Sequence, residues 1–366
     1  MQMRTIMKEL PKNNLSKDKV ILGLSGGVDS TTAALLLKKK GLEVIGFYFD
    51  ALGNNQEGLA TARKAAEQLG IEFVHRDVSK EFDSCVISNF CSEYIHGRTP
   101  NPCVVCNPTV KFKNLIDVAD EKGAYYIATG HYARIAEEDG KCFIRQGASQ
   151  KKDQSYMLAR LGQEYTSRLI FPLGEIDNKD TTRQLARDNN LSNADAADSQ
   201  EICFIDEKTT DYVEFIKERG FQAVAGDFID EDGNVLGRHK GLINYTVGQR
   251  KGLGVTFGKP MFVLSMNPDN NCITLGSNES LFNKDVYSIN NFFCETGDGN
   301  LPEKYNGKTE ITAKIRYAAK PAKALMYMEK DGRVKTTFDE PQRAATPGQT
   351  IVFYHEDKVI GGGFID

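Results

Sequence analysis

The sequence predicts an α/β protein built on a doubly wound, mostly parallel sheet, followed by a small central domain and a C-terminal β-barrel. Three observations predict this architecture. Short apolar runs alternate with helical patterns over residues 19–135, which is typical of a parallel sheet covered by helices on both faces. A further helix and turn-separated strands follow residue 205, and the pattern is all-β beyond residue 288. Since 366 residues accommodate two or three domains, we expect domains at 1–207, 208–283 and 284–366.

The first region begins with a buried strand, and its helices end at recognisable stop signals. Gly41, Gly70 and Gly123 each follow a helical pattern, as is typical of a residue just beyond a helix C-terminus. We expect residues 97–107 to form a loop. The predicted elements are, in order, a strand at 19–24, a helix at 31–40, a strand at 42–49, a helix at 56–69, a strand at 71–74, helices at 80–94 and 112–122, and a strand at 125–129.

The second half of the chain changes from helical to strand patterns. A helix is predicted at 210–219, and the turn signals EDGN at 231–234 and NPDN at 267–270 then separate short strands. Apolar and polar residues alternate over 311–317, the period of a half-buried strand. A small barrel or sandwich accounts for this pattern, and the glycines at 361–363 predict a bend in the last strand. The other strands predicted here lie at 324–328, 334–338 and 351–354.

Composition is typical of a folded protein from a reducing compartment. No apolar run approaches the roughly 18 residues of a membrane span, and the N-terminal residues lack the apolar core of a signal peptide. Eight cysteines in 366 residues are too few for a secreted disulfide scaffold. We therefore expect a cytoplasmic protein with no membrane partner, and a monomer is favoured.

Charge is distributed unevenly along the chain. The 46 Lys and Arg against 50 Asp and Glu give a net charge of −4, which taken alone disfavours a nucleic-acid partner. However, residues 238–259 contain five Lys or Arg and no acid, and residues 312–335 contain seven against two acids. Ten acids and four bases lie within 175–211. A basic path from the central segment to the barrel predicts contacts with phosphates; the alternative is a set of solvated strand faces.

Residues 25–30, with the sequence SGGVDS, lie between the first predicted strand and the first predicted helix. The two glycines let the backbone approach a ligand closely, and the helix N-terminus behind them suits an anion. Ser25 and Ser30 add hydroxyl donors, and Asp29 indicates a bridging Mg²⁺. A glycine-rich turn without a ligand is the alternative. The chain lacks both the kinase-type phosphate loop and the dinucleotide-binding fingerprint.

Three cysteines lie in two unusual segments. Cys103 and Cys106 have C-x-x-C spacing within residues 98–113, which contain bases but no acid, and Cys203 follows a polar stretch. Three interpretations compete: half of a metal site, inert burial, or thiol chemistry in which one cysteine carries sulfur and another resolves a disulfide. Burial is favoured for the remaining cysteines, which are Cys85, Cys91, Cys142, Cys272 and Cys294.

SGGVDS after a first strand resembles the PP-loop of the ATP pyrophosphatases, which cleave ATP between its α- and β-phosphates. The chain as a whole resembles the bacterial tRNA-specific 2-thiouridylases over about residues 18–366. That resemblance implies ATP-dependent 2-thiolation of the wobble uridine in the tRNAs for Lys, Glu and Gln. It is carried, in order, by GLSGGVDS, GRTPNPCVVCN, KFK, ATGHYA, KDQSYML, DSQEICFI, GLINYTVGQRKGLG, KIRYAAKP and PGQTIVFY.

The resemblance also implies roles for two cysteines. Cys203 would carry sulfur as a persulfide received from a sulfur-relay donor protein, and Cys106 would attack it and leave a Cys106–Cys203 disulfide. A cellular thiol reductant would then reset the enzyme. Because the thiolate is the reactive form, we expect the basic loop to lower the pKa of Cys106.

The remaining site residues are also implied by the resemblance. ATP, with Mg²⁺, would be bound by Gly23, Leu24, Ser25, Gly26, Gly27, Val28, Asp29, Ser30, Phe49 and Gly130. The tRNA would be bound by Asn101, Pro102, Cys103, His131, Lys152, Asp153, Gln154, Arg316, Tyr317 and Gln349.

One residue departs from the family pattern. Many members have Asp at the position of Cys103 and are proposed to use it in proton transfer, so the group that performs this role here is open. Two other functions are kept as alternatives. One is a different PP-loop tRNA sulfurtransferase with a metal cluster, and the other is a non-catalytic tRNA-binding module.

Overall fold

The structure, a computed structural model, describes residues 15–196, 202–205, 210–254 and 258–366. Residues 198–201, which begin the predicted second cysteine segment, lie outside the described residues. The N-terminal region contains the strands β1 Ser16–Gly23, β2 Glu43–Asp50, β3 Glu72–Asp77, β4 Ala124–Ala128, β5 Ala133–Glu138, β6 Lys141–Gln146 and β7 Leu169–Ile170. Its helices are α1 Val28–Lys39, α2 Gln56–Leu69, α3 Ser79–Phe82, α4 Ser88–Ile95, α5 Pro102–Cys106, α6 Phe112–Glu121, α7 Gln163–Thr166 and α8 Lys179–Asp188.

Five of these strands form a parallel sheet in the order β3-β2-β1-β4-β7. Residues of β1 alternate between its two faces: Ile21 packs with α6, whereas Val20 and Leu22 pack with α1 and α2. The sheet is therefore covered on both sides, and the predicted α/β architecture is confirmed. The chain leaves β1 for β2 on one side and places β4 on the other. The carboxyl ends of β1 and β4 thus border the crevice where ligands bind in such sheets.

Two predictions of local structure need correction. Residues 97–107 are not a continuous loop, because α5 begins at Pro102, a residue whose fixed φ suits the first turn of a helix. The side chain of Asn101 caps this helix by accepting a hydrogen bond from the backbone N–H of Val104 at 3.4 Å. The helix predicted at 80–94 is interrupted by a π-helical turn at Asp83–Ile87, between α3 and α4. A similar turn, Asn107–Lys111, joins α5 to α6.

The central region is a small mixed sheet with one helix, in which two strand pairs are antiparallel and one is parallel. It consists of α9 Tyr212–Glu218, β8 Gly226–Ile229, β9 Val235–His239, β10 Phe262–Asn267 and β11 Cys272–Gly276. The strand order is β10-β11-β8-β9, around a core that contains Phe228, Val263 and Ile273. The domain boundaries given above remain a prediction.

The C-terminal region is a closed barrel rather than a sandwich. Its strands are β12 Phe282–Phe293, β13 Thr309–Lys314, β14 Ala322–Met328, β15 Val334–Arg343, β16 Thr350–His355 and β17 Lys358–Ile365. They pair in the order β12-β15-β14-β13-β16-β17, and β17 pairs with β12 to close the ring. The ladders on both sides of β17 shift register near the glycines at 361–363. A Cβ at Gly361 would lie 2.3 Å from the carbonyl oxygen of Phe292, so only glycine fits this crossing.

The barrel is joined firmly to the N-terminal region. Tyr156 lies in one buried cluster with Val352 and Tyr354 of β16, and its hydroxyl donates a hydrogen bond to the carbonyl oxygen of Thr350 at 2.7 Å. The β5–β6 hairpin extends the barrel sheet by pairing Arg145 with the first residue of β17. In the described part of the chain, no helix is long and apolar enough to cross a membrane.

Candidate active site

The turn between β1 and α1 is shaped by glycine. Gly26 has φ of 79°, and a Cβ there would lie 2.8 Å from backbone atoms of Thr61 and Ala62 in α2. Gly27 is the N-cap of α1, so no cap side chain competes for the N–H groups of the first turn. Ser30 orders the loop from inside, because its hydroxyl donates to the carbonyl oxygen of Gly27 and accepts from the backbone N–H of Ser25. The turn therefore presents a helix N-terminus to a cavity, an arrangement that binds phosphate.

Asp29 is held from two sides. The hydroxyl of Tyr132 donates to Oδ1 at 2.7 Å, and Nζ of Lys179 donates to Oδ2 at 2.6 Å. Among the described residues, no group of three or more His, Cys, Asp or Glu is arranged to hold a metal ion. Mg²⁺ commonly uses one or two carboxylates together with phosphate and water oxygens. The half-exposed Asp29 carboxylate fits that role beside a bound triphosphate.

A cavity of about 280 Å³ opens next to this loop. Gly130, at the end of β4, closes it from the other side: a Cβ there would lie 3.0 Å from backbone atoms of Asp29 and Ser30. Seven of the ten residues predicted to bind ATP line the cavity, whereas Gly26, Gly27 and Val28 are not among its lining residues. Its lining consists of Gly23, Leu24, Ser25, Asp29, Ser30, Phe47, Tyr48, Phe49, Lys111, Thr129, Gly130, His131 and Gln154.

His131 and Gln154, predicted to contact tRNA, line this same cavity. Nδ1 of His131 lies 2.7 Å from Oγ1 of Thr129, and its ring stacks on Phe112 at 6.2 Å. Burial, reinforced by the nearby charge of Lys111, holds the pKa of His131 well below 6.5. The ring is therefore neutral at pH 7 and contributes hydrogen bonding rather than charge.

A second cavity, of about 220 Å³, adjoins the first and contains three cysteines. Cys103 and Cys106 enter it from α5, and Cys203 enters from residues 202–205, so residues separated by 97 positions (203 − 106) meet at one site. Tyr48, Phe49 and Lys111 line both cavities. The cavity beside the β1–α1 turn and the cavity with the thiols therefore share one wall.

An aromatic cluster holds the Cys203 segment against α4. The ring of Phe204, the next residue, lies 5.2 Å from Phe90 and 5.7 Å from Phe82, in edge-on contacts in both cases. It also lies 5.4 Å from Phe215 of α9. Because Phe204 is buried in this cluster, the neighbouring Cys203 faces the cavity. Cys203 itself is exposed to solvent there.

The predicted lowering of the Cys106 pKa is wrong. Cys106 is buried, and desolvation raises the pKa of its thiol above the usual value; the charge of Lys111 opposes that change but is the weaker effect. Cys203 keeps an exposed surface, yet partial desolvation by the surrounding protein, with Cys106 and Cys103 adding to it, also raises its pKa. A basic sequence neighbourhood therefore does not decide the protonation state, because loss of solvation outweighs one nearby cation.

Another group of predicted tRNA residues meets where the barrel touches the segment before α5. Nε2 of Gln349 donates to the carbonyl oxygens of Thr99 and Pro100 at 3.0 and 3.2 Å. Tyr317, 39% exposed, places its ring 6.1 Å from that of Tyr156.

Three further residues predicted to bind tRNA differ in their burial and in their hydrogen bonds to the rest of the protein. Arg316 donates to the carbonyl oxygen of Arg343 at 3.1 Å. Lys152 is half-buried. Asp153 is turned inward, where its carboxylate accepts hydrogen bonds from Gly147 and Ser155.

Three positions in or beside the cavities were missed from sequence. Lys179 and Tyr132 hold Asp29, and Lys111 faces both cavities. Lys179 is far from the loop in sequence and belongs to no motif, so no sequence signal places it there. Lys111 lies in the quoted KFK string, which was a usable signal.

Family models match the chain in three consecutive parts. They are described as the tRNA methyl transferase HUP domain, at residues 18–207, the tRNA methyl transferase PRC-barrel domain, at 213–277, and the aminomethyltransferase β-barrel domain, at 292–365. Together with the parallel sheet and the glycine-rich turn, these matches place the chain in a class of tRNA-modifying proteins that carry a HUP-type α/β domain.

Curated relatives identify the family within that class. The tRNA-specific 2-thiouridylase MnmA of Clostridium acetobutylicum is 42% identical over 360 residues, covering 95% of this chain and 99% of the relative. MnmA 1 of Caldanaerobacter subterraneus subsp. tengcongensis is 44% identical over 365 residues, covering 95% and 98%. MnmA of Clostridioides difficile is 41% identical over 362 residues, covering 95% and 98%. The chain belongs to the tRNA-specific 2-thiouridylase family, which confirms the resemblance.

A solved NH3-dependent NAD synthetase from Campylobacter jejuni also aligns, at 21% identity and a TM-score of 0.30, over 49% of this chain and 67% of that one. A similarity this weak supports no inference.

Proposed function

We propose that this protein is an ATP-dependent sulfurtransferase that converts the wobble uridine of the tRNAs for Lys, Glu and Gln to 2-thiouridine. The observation that carries the proposal is the wall shared by the two cavities. Phe49 and Lys111 border both the phosphate-binding turn and the three thiols. A uridine base at this junction would meet the nucleotide on one side and sulfur on the other.

The chemistry requires both cavities. The C2 oxygen of uridine is a poor leaving group, and transfer of AMP from ATP to that oxygen converts it into a good one while pyrophosphate leaves. The turn at residues 25–30 and the N-terminus of α1 would hold the phosphates. Mg²⁺ bound at Asp29 would neutralise phosphate charge. Lys179 and Tyr132 would keep the Asp29 carboxylate in place.

Sulfur transfer is assigned to the thiol cavity. Cys203 would carry a persulfide supplied by a sulfur-relay donor protein. Cys106 attacks the sulfur of Cys203, the S–S bond of the persulfide breaks, and the terminal sulfur goes to C2 of uridine as AMP leaves. A Cys106–Cys203 disulfide remains, and a cellular thiol reductant in the cytoplasm would return it to two thiols.

Nucleoside mass spectrometry of tRNA tests the proposal. Cells lacking the gene should lose 2-thiouridine derivatives at the wobble position, and the wild-type gene should restore them. Cys106→Ser and Cys203→Ser should restore none, because each removes a reacting sulfur, whereas Cys85→Ser, which alters a thiol outside both cavities, should restore them fully. Unchanged 2-thiouridine together with lost methylation would instead support the activity named in the family-model description.

Pyrophosphate release separates the remaining alternatives. Release that depends on added tRNA would exclude a non-catalytic tRNA-binding module. Metal analysis of protein purified without oxygen would identify a cluster-dependent sulfurtransferase by stoichiometric iron.

A further inference from the structure

The thiol cavity holds one more cysteine than the proposed reaction uses. Cys103 lines it together with Cys106 and Cys203. Cys103 is exposed, whereas Cys106 is 7% exposed. The family position for a carboxylate is thus occupied by a third sulfur, at the solvent side of the cavity.

The two cysteines of α5 are within bonding reach of each other. In an α-helix, residues three apart have Cα atoms about 5 Å apart, and disulfides span Cα separations of roughly 4.4–6.8 Å. Both residues lie in α5, which spans only Pro102–Cys106. Cys103 also contributes to the electrostatic environment of both Cys106 and Cys203, as expected for neighbouring groups.

Cys103 offers an internal route for releasing Cys203 from the disulfide. Cys106 packs in a buried cluster with Phe90, Val110 and Phe204. Cys203, in contrast, is exposed, so an external dithiol that attacked it would leave a mixed disulfide on the residue that must accept the next sulfur. A thiol that is already inside the cavity and also reaches solvent can relay the exchange.

We propose that Cys103 resolves the Cys106–Cys203 disulfide by thiol–disulfide exchange. The disulfide is thereby transferred to Cys103 and Cys106, and Cys103 is exposed to solvent. This step rests on the proposed function. The Cys103 thiolate attacks the sulfur of Cys106, a Cys103–Cys106 bond forms, and the Cys106–Cys203 bond breaks with its electron pair going to Cys203. Cys203 leaves as a thiolate, ready to accept the next sulfur. A cellular dithiol then supplies two electrons to the Cys103–Cys106 disulfide and is itself oxidised to a disulfide.

A single-turnover trapping experiment tests this assignment. The full-length protein is incubated with tRNA, Mg²⁺, ATP and one equivalent of a cysteine desulfurase that carries a persulfide and has been freed of cysteine, with no added reductant. The reaction is quenched in acid, alkylated, and mapped by peptide mass spectrometry. We expect a Cys103–Cys106 disulfide and an alkylated Cys203 in the wild-type protein. Cys103→Ser should instead retain a Cys106–Cys203 disulfide.

Turnover measurements with a protein dithiol reductant give the second readout. At saturating tRNA, Cys103→Ser should still complete one turnover, so a first equivalent of thiolated tRNA forms even if its tRNA affinity differs from that of the wild type. Its steady-state rate should fall at least about tenfold, because a tethered thiol acts at an effective concentration of millimolar order or higher. Cys272→Ser, which changes a half-buried thiol in β11 outside the cavity, should behave as the wild type in both readouts.

Several outcomes would overturn the assignment. One is a wild-type protein that retains Cys106–Cys203, or forms Cys103–Cys203. Another is an unchanged steady-state rate in Cys103→Ser. Full turnover in Cys103→Asp would assign the position to proton transfer instead. If the wild type makes no thiolated tRNA at all, the proposed function fails and this step fails with it. If thiolation proceeds but the mapped bond is wrong, only the role of Cys103 is lost.

Discussion

At the level of single residues, Asp29 is a carboxylate that the fold fixes in place. It lies in the first turn of α1, where the N-terminal end of a helix stabilises negative charge. Its two oxygens each accept a hydrogen bond, from Tyr132 and Lys179. Because the neutral donor lies just before β5 and the charged donor lies in α8, they can be tested separately.

Asp29→Asn should lower the rate of tRNA-dependent pyrophosphate release about a hundredfold or more, because the charge that would hold Mg²⁺ at the phosphates is lost. Tyr132→Phe is the matched control: it removes one hydrogen bond but keeps the carboxylate and Lys179, so release should fall much less. Equal losses in the two variants would contradict a metal-binding role for Asp29. Pyrophosphate release and circular dichroism measure activity and folding in parallel.

The raised thiol pKa values predict an alkaline rise in cysteine reactivity. Burial raises the pKa of Cys106, and the protein and thiols around the exposed Cys203 raise its pKa as well, so both are thiols at pH 7. The rate of Cys203 alkylation by iodoacetamide should therefore increase through the neutral range, without levelling near the ordinary thiol pKa of about 8.5. A plateau below about pH 8 would contradict this expectation.

The same pKa changes predict a dependence of stability on pH. A group whose folded-state pKa is raised favours the folded state in its protonated form. This contribution is fully present below the unfolded thiol pKa of about 8.5 and is lost as pH rises toward the folded values. Urea unfolding of wild type and Cys203→Ser across this range would measure it, and the alkaline loss should be smaller in the variant.

At the level of elements, the turn between β1 and α1 depends on how closely it can pass over α2. Gly26 and Gly41 both have positive φ, 79° and 85°. Only the first is crowded: a Cβ at Gly26 would clash with the backbone of Thr61 and Ala62, whereas a Cβ at Gly41 would meet nothing within 4 Å. A substitution at Gly41 therefore introduces backbone strain alone, whereas one at Gly26 introduces both backbone strain and a steric clash.

Gly41→Ala should cost about 1 kcal/mol of unfolding free energy, from backbone strain alone, and leave ATP affinity unchanged. Gly26→Ala should cost more and should also weaken ATP binding, because α2 and the loop must move apart. Chemical denaturation and isothermal titration calorimetry with ATP measure the two effects. Equal stability losses with unchanged ATP affinity would show that the loop does not bind the nucleotide.

For the whole molecule, the contact between barrel and N-terminal region bears directly on the thiol cavity. Gln349 binds the carbonyl oxygens of Thr99 and Pro100, just before α5. Arg98 donates to the carbonyl oxygen of Ile365, the last residue of β17, at 3.0 Å. The barrel therefore helps to position the helix that carries Cys106.

Gln349→Ala should lower the free energy of unfolding by about 1–2 kcal/mol, since two carbonyl oxygens lose a donor. Sulfur transfer should slow while the KM for ATP stays unchanged, because the nucleotide cavity is not touched. Gln342→Ala, which changes a side chain on β15 that bonds only locally to Glu340, is the control. Reduced tRNA affinity with unchanged stability would show instead that Gln349 contacts tRNA directly.

Much of the architecture could be predicted from local patterns. The strand-helix alternation, the glycines after helices and the all-β C-terminal part each reflect short-range rules. The errors have two causes, one tertiary and one local. The Cys106 pKa depends on burial by neighbours from other elements, and α5 was missed because a five-residue helix has too few residues to show a period.

The sequence alone carried the chemistry: the SGGVDS turn, the three cysteines and the family to which the chain belongs. Those features depend on residue identity and spacing, which are local and readable. Only the tertiary structure decided which groups act together. It set Lys179 on Asp29, gave the thiols and the nucleotide cavity a common wall at Lys111, and left Cys103 exposed while burying Cys106. These relations depend on packing between segments far apart in the chain, and packing also controls solvation.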